Sequence, residues 1–185
     1  MLFSFATPAP SGLLERVTAP ASEPVTLAEA KLYLRLDGTV EDSLVGEQIT
    51  TARMLAEQWL RRSLITQAWK LSYDYGVSEC VRLPMGPVTA ITGINMVQQD
   101  GGMISVNTNA YWLNATKNAV MLSGPIYAFR VEIMYSAGFG GASAVPAPIK
   151  QGILAHVAHL YENRGDMALP AQVAQLYLPY RDMRL

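Results

Sequence analysis

The sequence has 185 residues, 50% of them hydrophobic and 16% charged, with a formal net charge of −1. This length supports one domain with a continuous core and excludes a disordered chain that has no core. The 14 basic residues are scattered rather than clustered, which disfavours direct binding of DNA or RNA. The low fraction of charged residues indicates either surface that is buried against other chains or an apolar monomer.

The first 24 residues show no sustained periodicity and contain four prolines, Pro8, Pro10, Pro20 and Pro24. Because proline is unfavourable inside a helix or a central strand, we expect an extended N-terminal arm over residues 1–24. Its large apolar residues either anchor the arm on a neighbour or belong to a frayed terminus; they are Leu2, Phe3 and Phe5. The arm lacks the pattern of a signal peptide, and no run is long enough to span a membrane, so we expect a soluble protein made in the cytoplasm.

Two helices are predicted after the arm. Thr26 and Glu29 form a capping-box pattern that begins a short helix, which should end near Asp37-Gly38. A second start signal follows, with Thr39 as the cap. From there, apolar residues recur at alternating spacings of four and three along one face of a long helix to about Arg62; they are Val45, Ile49, Ala52, Ala56 and Trp59.

The pattern changes to alternation after Arg62, which predicts an antiparallel β region of five or six short strands over residues 64 to 137. Its most regular strand is IYAFRVEIMY, in which one face carries Tyr127, Phe129, Val131, Ile133 and Tyr135. The single cysteine, Cys80, lies in a predicted strand far from any histidine, so we expect a small buried hydrophobe and neither a disulfide nor a nucleophile.

The last segment returns to the helical period. Pro148 suits the first turn of a helix whose apolar face contains Ile149, Ile153, Val157 and Leu160, with Gly165 as the stop after Arg164. A short amphipathic stretch from Pro170 to Pro179 follows. The predicted fold class is therefore α+β: a small helical bundle of residues 25–63 and 146–185, with residues 64–145 as an inserted antiparallel β region.

Candidate chemical sites are incomplete. The glycine-rich stretch YSAGFGGASAVPAPIKQGI, from Tyr135 to Ile153, lacks the lysine of a P-loop and the third glycine of a dinucleotide fingerprint, so it is interpreted as a hinge between a strand and a helix. His156, His159 and Glu162 are spaced three apart on one helix and fan across ~120°, so they converge poorly on a metal. Neither a catalytic set nor a cofactor site is predicted.

Several stretches recur in a characteristic order over about residues 25 to 165: VTLAEAKLYLRL, EDSLV, ARMLAEQWL, LITQAW, LPMGPV, YSAGFG, VPAPIKQGI and LYENRG. Each is a cap, a turn or a core segment, and their succession resembles the head–tail connector (adaptor) family of tailed bacteriophages and phage-derived gene transfer agents. Two residues depart from the family pattern: Met85 replaces a basic residue between prolines, and Ala68 replaces threonine before Trp69. These departures concern contacts in the β region.

The resemblance implies a non-enzymatic virion protein of the particle neck. Such a subunit forms a ring, twelve-fold by analogy, beneath the portal protein, extends the DNA channel without reading the sequence of the DNA, and docks the next tail or stopper component. It needs no cofactor, metal or membrane. Aromatic and arginine residues dominate binding hot spots, so the interface candidates are Trp59, Arg61, Arg62, Tyr161, Arg164, Tyr180 and Arg181. For Trp59 and Tyr161, the helical spacing is equally compatible with a place in the core.

Two other hypotheses compete with this one. Another tail-tube or baseplate component would be dominated by β structure, whereas capped helices are predicted at both ends of this chain. A metal-dependent hydrolase would require His156, His159 and Glu162 to converge on one ion.

Overall fold

The protein is described by a computed structural model of residues 12–163 and 166–182. Within these residues the chain forms four α-helices and eight β-strands, which confirms the predicted α+β class. The helices are α1 (Leu27–Leu34), α2 (Asp42–Leu60), α3 (Ala147–Glu162) and α4 (Ala171–Tyr177). The strands are β1 (Leu13–Thr18), β2 (Gln67–Asp74), β3 (Cys80–Arg82), β4 (Val88–Val97), β5 (Met103–Ser105), β6 (Tyr111–Leu113), β7 (Ala119–Leu122) and β8 (Arg130–Ala137).

The strands form two antiparallel sheets, one of five strands in the order β1-β2-β8-β4-β5 and one of three in the order β3-β7-β6. Seven strands lie between residues 67 and 137, so the prediction of five or six was too low. Three of them, β3, β5 and β6, have only three residues each, which is too short for alternation to be recognised. Strand β8 begins at Arg130, and the predicted strand residues Tyr127 and Phe129 are exposed before it.

Part of the predicted N-terminal arm is an edge strand. Strand β1 pairs with β2, with Leu13 opposite Ser72 and Leu14 opposite Leu71. The proline-free stretch LLERVT can supply ladder hydrogen bonds, because the prolines lie on either side of it. Residues 1–11 of the arm lie outside the described residues.

The helix starts differ in how far they match the sequence signals. At α1 the capping box is confirmed: the Glu29 amide donates to Thr26 Oγ1 at 3.1 Å, and the Thr26 amide donates to Glu29 Oε2 at 2.6 Å. Helix α1 ends at Leu34, before the predicted Gly38, because Arg35 takes a left-handed conformation with φ 58°. Thr39 was the wrong cap for α2, since Glu41 takes the N-cap position and no side chain caps the helix there.

Two apolar cores stabilise the fold. The first unites the predicted faces of α2 and α3 with α4, through residues such as Ala56, Leu60 and Ile153. The second lies against the sheets and includes Leu71 and Ile133. No helix in the described part of the chain is long and apolar enough to cross a membrane.

Cys80 does not belong to either core. It is exposed on β3, where Val81 takes the one buried position, so the prediction of a buried cysteine was wrong. Alternation within a strand of three residues allows only one face to point inward, and the sequence gives no register for so short a strand.

A buried ionic network joins α2 to the start of the β region. Arg53 Nη1 donates to Glu57 Oε2 at 2.9 Å, while Glu57 Oε1 accepts from the amide of Leu64 at 2.8 Å and from the side chain of Gln67 at 2.6 Å. Arg53 Nε also donates to Glu23 Oε2 at 2.7 Å, which attaches the segment before α1. Burial raises the pKa of the Glu57 carboxyl above its usual value, and the hydrogen bonds and Arg53 oppose that rise.

Candidate functional site

The C-terminal helix α4 packs tightly on α3 at a glycine. A Cβ at Gly152 would overlap Cε1 of Tyr177, so only glycine permits this approach of the tyrosine ring. The Tyr177 ring in turn contacts Trp59, with ring centroids 6.1 Å apart and planes tilted by 53°. Burial raises the pKa of the Tyr177 hydroxyl, so this side chain is a neutral part of the core at physiological pH.

The residues after α4 turn back onto the end of α2 and reach the β region. Arg181 places its guanidinium carbon 4.6 Å from the centroid of the Trp59 indole, within the range of a cation–π contact. The Asp182 amide donates to the Leu60 carbonyl at 2.9 Å. Arg82 Nη2, on β3, donates to both carboxylate oxygens of Asp182 at 2.9 Å. We call this set the C-terminal clasp; its members are Trp59, Leu60, Arg82, Tyr177, Arg181 and Asp182.

Three other predicted interface residues lie beside the clasp. Arg61 is exposed, ends α2 in a left-handed conformation with φ 55°, and lines a cleft of about 530 Å³. Arg62 forms a parallel bridge with Met85 and lines a smaller cleft of about 90 Å³. Tyr180 is half-buried against the helical core. The fold therefore brings Trp59, Arg61, Arg62, Tyr180 and Arg181 into one region.

The remaining two candidates do not join this region. Tyr161 lies near the end of α3 and donates its hydroxyl to Glu41, at 2.8 Å from Oε2. Glu41 precedes α2 and Trp59 is near its other end, so the 19-residue helix separates the two positions by roughly 27 Å. Arg164 lies outside the described residues.

The histidines do not form a metal centre. His156 is fully buried, and its ring centroid lies 6.4 Å from that of His159. His159 is drawn instead towards Asp166, with Nε2 3.2 Å from Oδ2, while Glu162 is exposed. Among residues 12–163 and 166–182, no group of three or more histidine, cysteine, aspartate or glutamate residues is placed to hold a metal ion.

The glycine-rich stretch after β8 fastens the start of α3 to the start of β2. Gly138 has φ 140°, and a side chain there would lie 2.6 Å from the backbone of Ile65. The Phe139 amide donates to the Leu64 carbonyl at 3.1 Å, and the Thr66 amide donates to the Gly140 carbonyl at 3.0 Å. Its glycines are thus used for close backbone approach within the fold.

Sequence reasoning missed Arg82 and Asp182. They are 100 residues apart, and each looks like an ordinary surface charge in its local sequence. Only the folding of residues 178–182 back across α2 brings them together, and no local pattern reports such a contact.

No protein-family model matches this sequence, and a search of curated proteins gives no match. Solved structures do match. A chain in the neck of an empty GTA particle, computed with C6 symmetry, superposes with a TM-score of 0.82 at 26% identity, covering 94% of this chain and 97% of that one. A chain in the virion of a native gene transfer agent (GTA) particle gives 0.79 at 26% identity, with the same two coverages.

A third structure supports the fold. A chain in the neck of a native GTA particle, computed with C12 symmetry, gives a TM-score of 0.77 at 24% identity, again covering 94% of this chain and 97% of that one. The similarity thus extends over both the helical part and the β region. In structure, this chain is similar along nearly its whole length to chains of gene transfer agent particles, two of them described in the particle neck.

Proposed function

We propose that this protein is a structural subunit of the neck of a phage-like particle, where the head meets the tail. The observation that carries the proposal is the superposition of 94% of the chain on a GTA neck chain with a TM-score of 0.82. A match of that extent includes the helices, both sheets and their connections, so it is more than a shared motif. The ordered sequence motifs over residues 25 to 165 point to the same class independently.

In this proposal the subunit belongs to the adaptor class and forms a ring. The matching neck structures were computed with C6 and C12 symmetry, which supports a cyclic assembly. A twelve-fold ring beneath the portal protein would extend the DNA channel and present a docking surface to the next tail component. DNA would pass through without sequence readout, since the net charge of −1 gives little electrostatic attraction to phosphate.

We assign the contacts between subunits or with the portal to the region of the clasp. Arg61 is an exposed arginine beside a cleft, and the half-buried side chains of Trp59, Tyr180 and Arg181 belong to the same region. Such side chains combine a large apolar area with a polar end, which is the composition of interface hot spots. The helical domain, residues 25–63 and 146–185, carries most of this region, and the inserted β region contributes Arg82.

Tyr161 is a second candidate contact in this proposal, at the other end of α2 from the clasp, while Arg164 stays a candidate from the sequence alone. The Tyr161–Glu41 hydrogen bond closes the junction between the end of α3 and the start of α2. A subunit in a ring contacts two neighbours through different surfaces. The clasp region and Tyr161 lie towards opposite ends of α2, which suits that requirement.

The proposal is tested by deleting the gene in a strain that produces the particles and imaging them. A neck subunit predicts DNA-filled or emptied heads without attached tails, and restoration of joined particles by the wild-type gene. Complementation with Arg61→Glu should fail, and Arg16→Glu, an exposed arginine on β1, serves as the matched control that should succeed. Particles that assemble normally without the gene would contradict the proposal.

A further inference from the structure

A cleft of about 530 Å³ opens beside the clasp, between the edge of the five-stranded sheet and the loop after β3. This volume lies within the usual range for a site that receives an organic ligand or a few side chains. Its apolar lining residues are Leu14, Leu71, Tyr73, Pro84 and Met85. Two arginines also line it: Arg82 is paired with Asp182, whereas Arg61 has no ionic partner among the described residues.

The wider region around this cleft is basic. Arg62 and Lys117 line the adjacent cleft of about 90 Å³, in addition to the two arginines of the larger one. Asp182 lines both clefts and offsets only part of this positive charge. A partner that fits this region therefore carries exposed apolar side chains beside carboxylates.

The start of α2 has this composition. From Asp37 to Glu47 the sequence holds four carboxylates and neither lysine nor arginine. Val40 is 98% exposed just before the helix, and Leu44 is 39% exposed in its first turn. Leu44 and Glu47 are three residues apart, which makes them neighbours on one face of the helix. Two exposed apolar side chains are thus flanked by acidic groups.

Contacts within the chain hold this end of α2 in place and leave Glu47 for a partner. Glu41 accepts a hydrogen bond from the Tyr161 hydroxyl, and Asp42 Oδ1 accepts one from Lys31 Nζ. Glu47 is exposed and has no ionic partner in the part of the chain that the structure describes. A surface that is already held in shape loses little conformational freedom when it binds.

The start of α2 cannot reach the cleft of its own chain. Met85 lies at the other end of the helix, where its carbonyl accepts from the Ser63 amide and it forms a bridge with Arg62. The 19-residue helix therefore separates Val40 from Met85 by roughly 28 Å. Only a second copy of the chain can bring this segment to the cleft. A contact between two different surfaces of identical subunits joins them head to tail and closes into a ring where the rotation permits.

We propose that Val40 and Leu44 of one subunit enter the cleft of the next subunit, and that Glu47 pairs there with Arg61. This inference rests on the cyclic assembly proposed above and identifies the joint between its subunits. The acidic start of α2 then faces the basic region around the cleft, which fixes the order of the subunits in the ring. Tyr161 acts within its own chain, where it holds Glu41 beside Val40.

The first test is photocrosslinking in assembled particles. The residue p-benzoylphenylalanine replaces Val40 in the full chain, which complements the deletion strain, and irradiated particles are analysed by gel electrophoresis and mass spectrometry. We expect links to the peptides of residues 71–73 or 83–87, with dimers and higher multimers on the gel, because each subunit links to the next. The length of α2 means that any such link joins two chains.

The control places the same probe at Tyr127, which is 81% exposed before β8, whereas Tyr135 near the other end of that strand bonds to Pro84. It should give no link to residues 83–87. Particles that form without multimers, or links from position 40 only to the portal or another particle protein, would overturn the contact between copies and leave the neck role standing. The neck role fails separately, if particles assemble normally in the deletion strain.

A charge exchange tests the ion pair without the probe. R61E should lower the yield of tailed particles at least about tenfold, because it places two carboxylates against each other. E47R alone should lower the yield because it opposes two arginines, whereas the double variant E47R/R61E should restore most of it. The control is E47R combined with R16E, which reverses an arginine on β1 and should restore nothing.

Urea denaturation of each purified variant establishes that it is folded. If folded E47R/R61E gives as few tailed particles as R61E, Glu47 does not meet Arg61 and the proposal is wrong. A normal yield from E47R alone would contradict it in the same way.

Discussion

Arg181 lies over the indole of Trp59, with 4.6 Å between its guanidinium carbon and the ring centroid, and so attaches the last described residues of the chain to the end of α2. The neighbouring Asp182 amide bonds to Leu60, and its carboxylate bonds to Arg82. One short segment therefore links the helical core to the β region.

Removal of the Arg181 side chain should loosen this segment without unfolding the protein. We expect R181A to lower the free energy of unfolding by about 0.5–1 kcal/mol, the range of a partly exposed cation–π contact. R181K should lower it less, because the positive charge remains. Hydrogen–deuterium exchange over residues 171–182 should rise in R181A. R16A, on β1, is the control and should change neither exchange there nor the unfolding free energy beyond about 0.5 kcal/mol. Unchanged exchange in R181A would show that the contact does not hold the segment.

The buried Glu57 network should be among the most sensitive sites in the molecule. E57A removes one carboxylate partner of Arg53 and the acceptor of both the Leu64 amide and the Gln67 side chain. We therefore expect urea denaturation to show an unfolding free energy that is lower by about 3–5 kcal/mol. E57Q should cost less, because burial already opposes the ionised carboxylate and the amide oxygen can still accept a hydrogen bond. The control is E47A, because Glu47 is exposed on the same helix. If E57A and E47A lower the unfolding free energy equally little, the network does not have this role.

Two glycines in helices should respond in opposite directions to alanine. G152A introduces a Cβ that overlaps the Tyr177 ring and should destabilise the protein by about 1–3 kcal/mol, even after the gain in helix propensity. G46A meets no atom within 4 Å and should stabilise α2 by about 0.5–1 kcal/mol. Equal effects of the two variants in urea denaturation would contradict the close packing of α4 on α3.

His156 should make the protein less stable as the pH falls. Burial and the neighbouring His159 hold its pKa below the ordinary value of 6.5, with Asp166 opposing the shift. The unfolded chain therefore takes up the proton more readily than the folded chain, and the unfolding free energy falls as the pH drops through about 6.5. Above about pH 7.5 the group is neutral in both states and has no effect.

Urea denaturation at pH 7.5 and pH 5.5 measures this loss. H156L should reduce the difference between the two pH values, whereas H159Q, which leaves the buried ring in place, should retain most of it. If the wild-type protein and H156L lose the same stability between these pH values, His156 is not the group responsible.

The sequence predicts the regular elements well where they are long or capped. The Thr26–Glu29 box and the spacing of Val45, Ile49, Ala52 and Ala56 predict α1 and α2, because these signals are local and repeat over several turns. Strands of three residues escape prediction, since they are too short to display a period. Cys80 was misplaced for this reason: its exposure depends on the register of β3 against β7, which is fixed by distant residues.

The candidate site, like the fold, could be predicted from the sequence only in part. Residue type alone identified Trp59, Arg61, Arg62, Tyr180 and Arg181 as interface candidates. The fold brings these five residues into one region. Their mutual contacts depend on the return of residues 178–182 across α2, and the pairing of Arg82 with Asp182 spans 100 positions. Such contacts are set by tertiary packing, so residue type and spacing alone did not separate Tyr161 from the rest.

The central claim, that the protein is a ring-forming neck subunit, is tested most directly by electron microscopy of the purified protein, alone and mixed with the portal protein of the same particle. The account predicts rings with cyclic symmetry, twelve-fold when seated on the portal, and loss of those rings in R61E. A protein that remains a monomer in both samples and never joins the portal would contradict it.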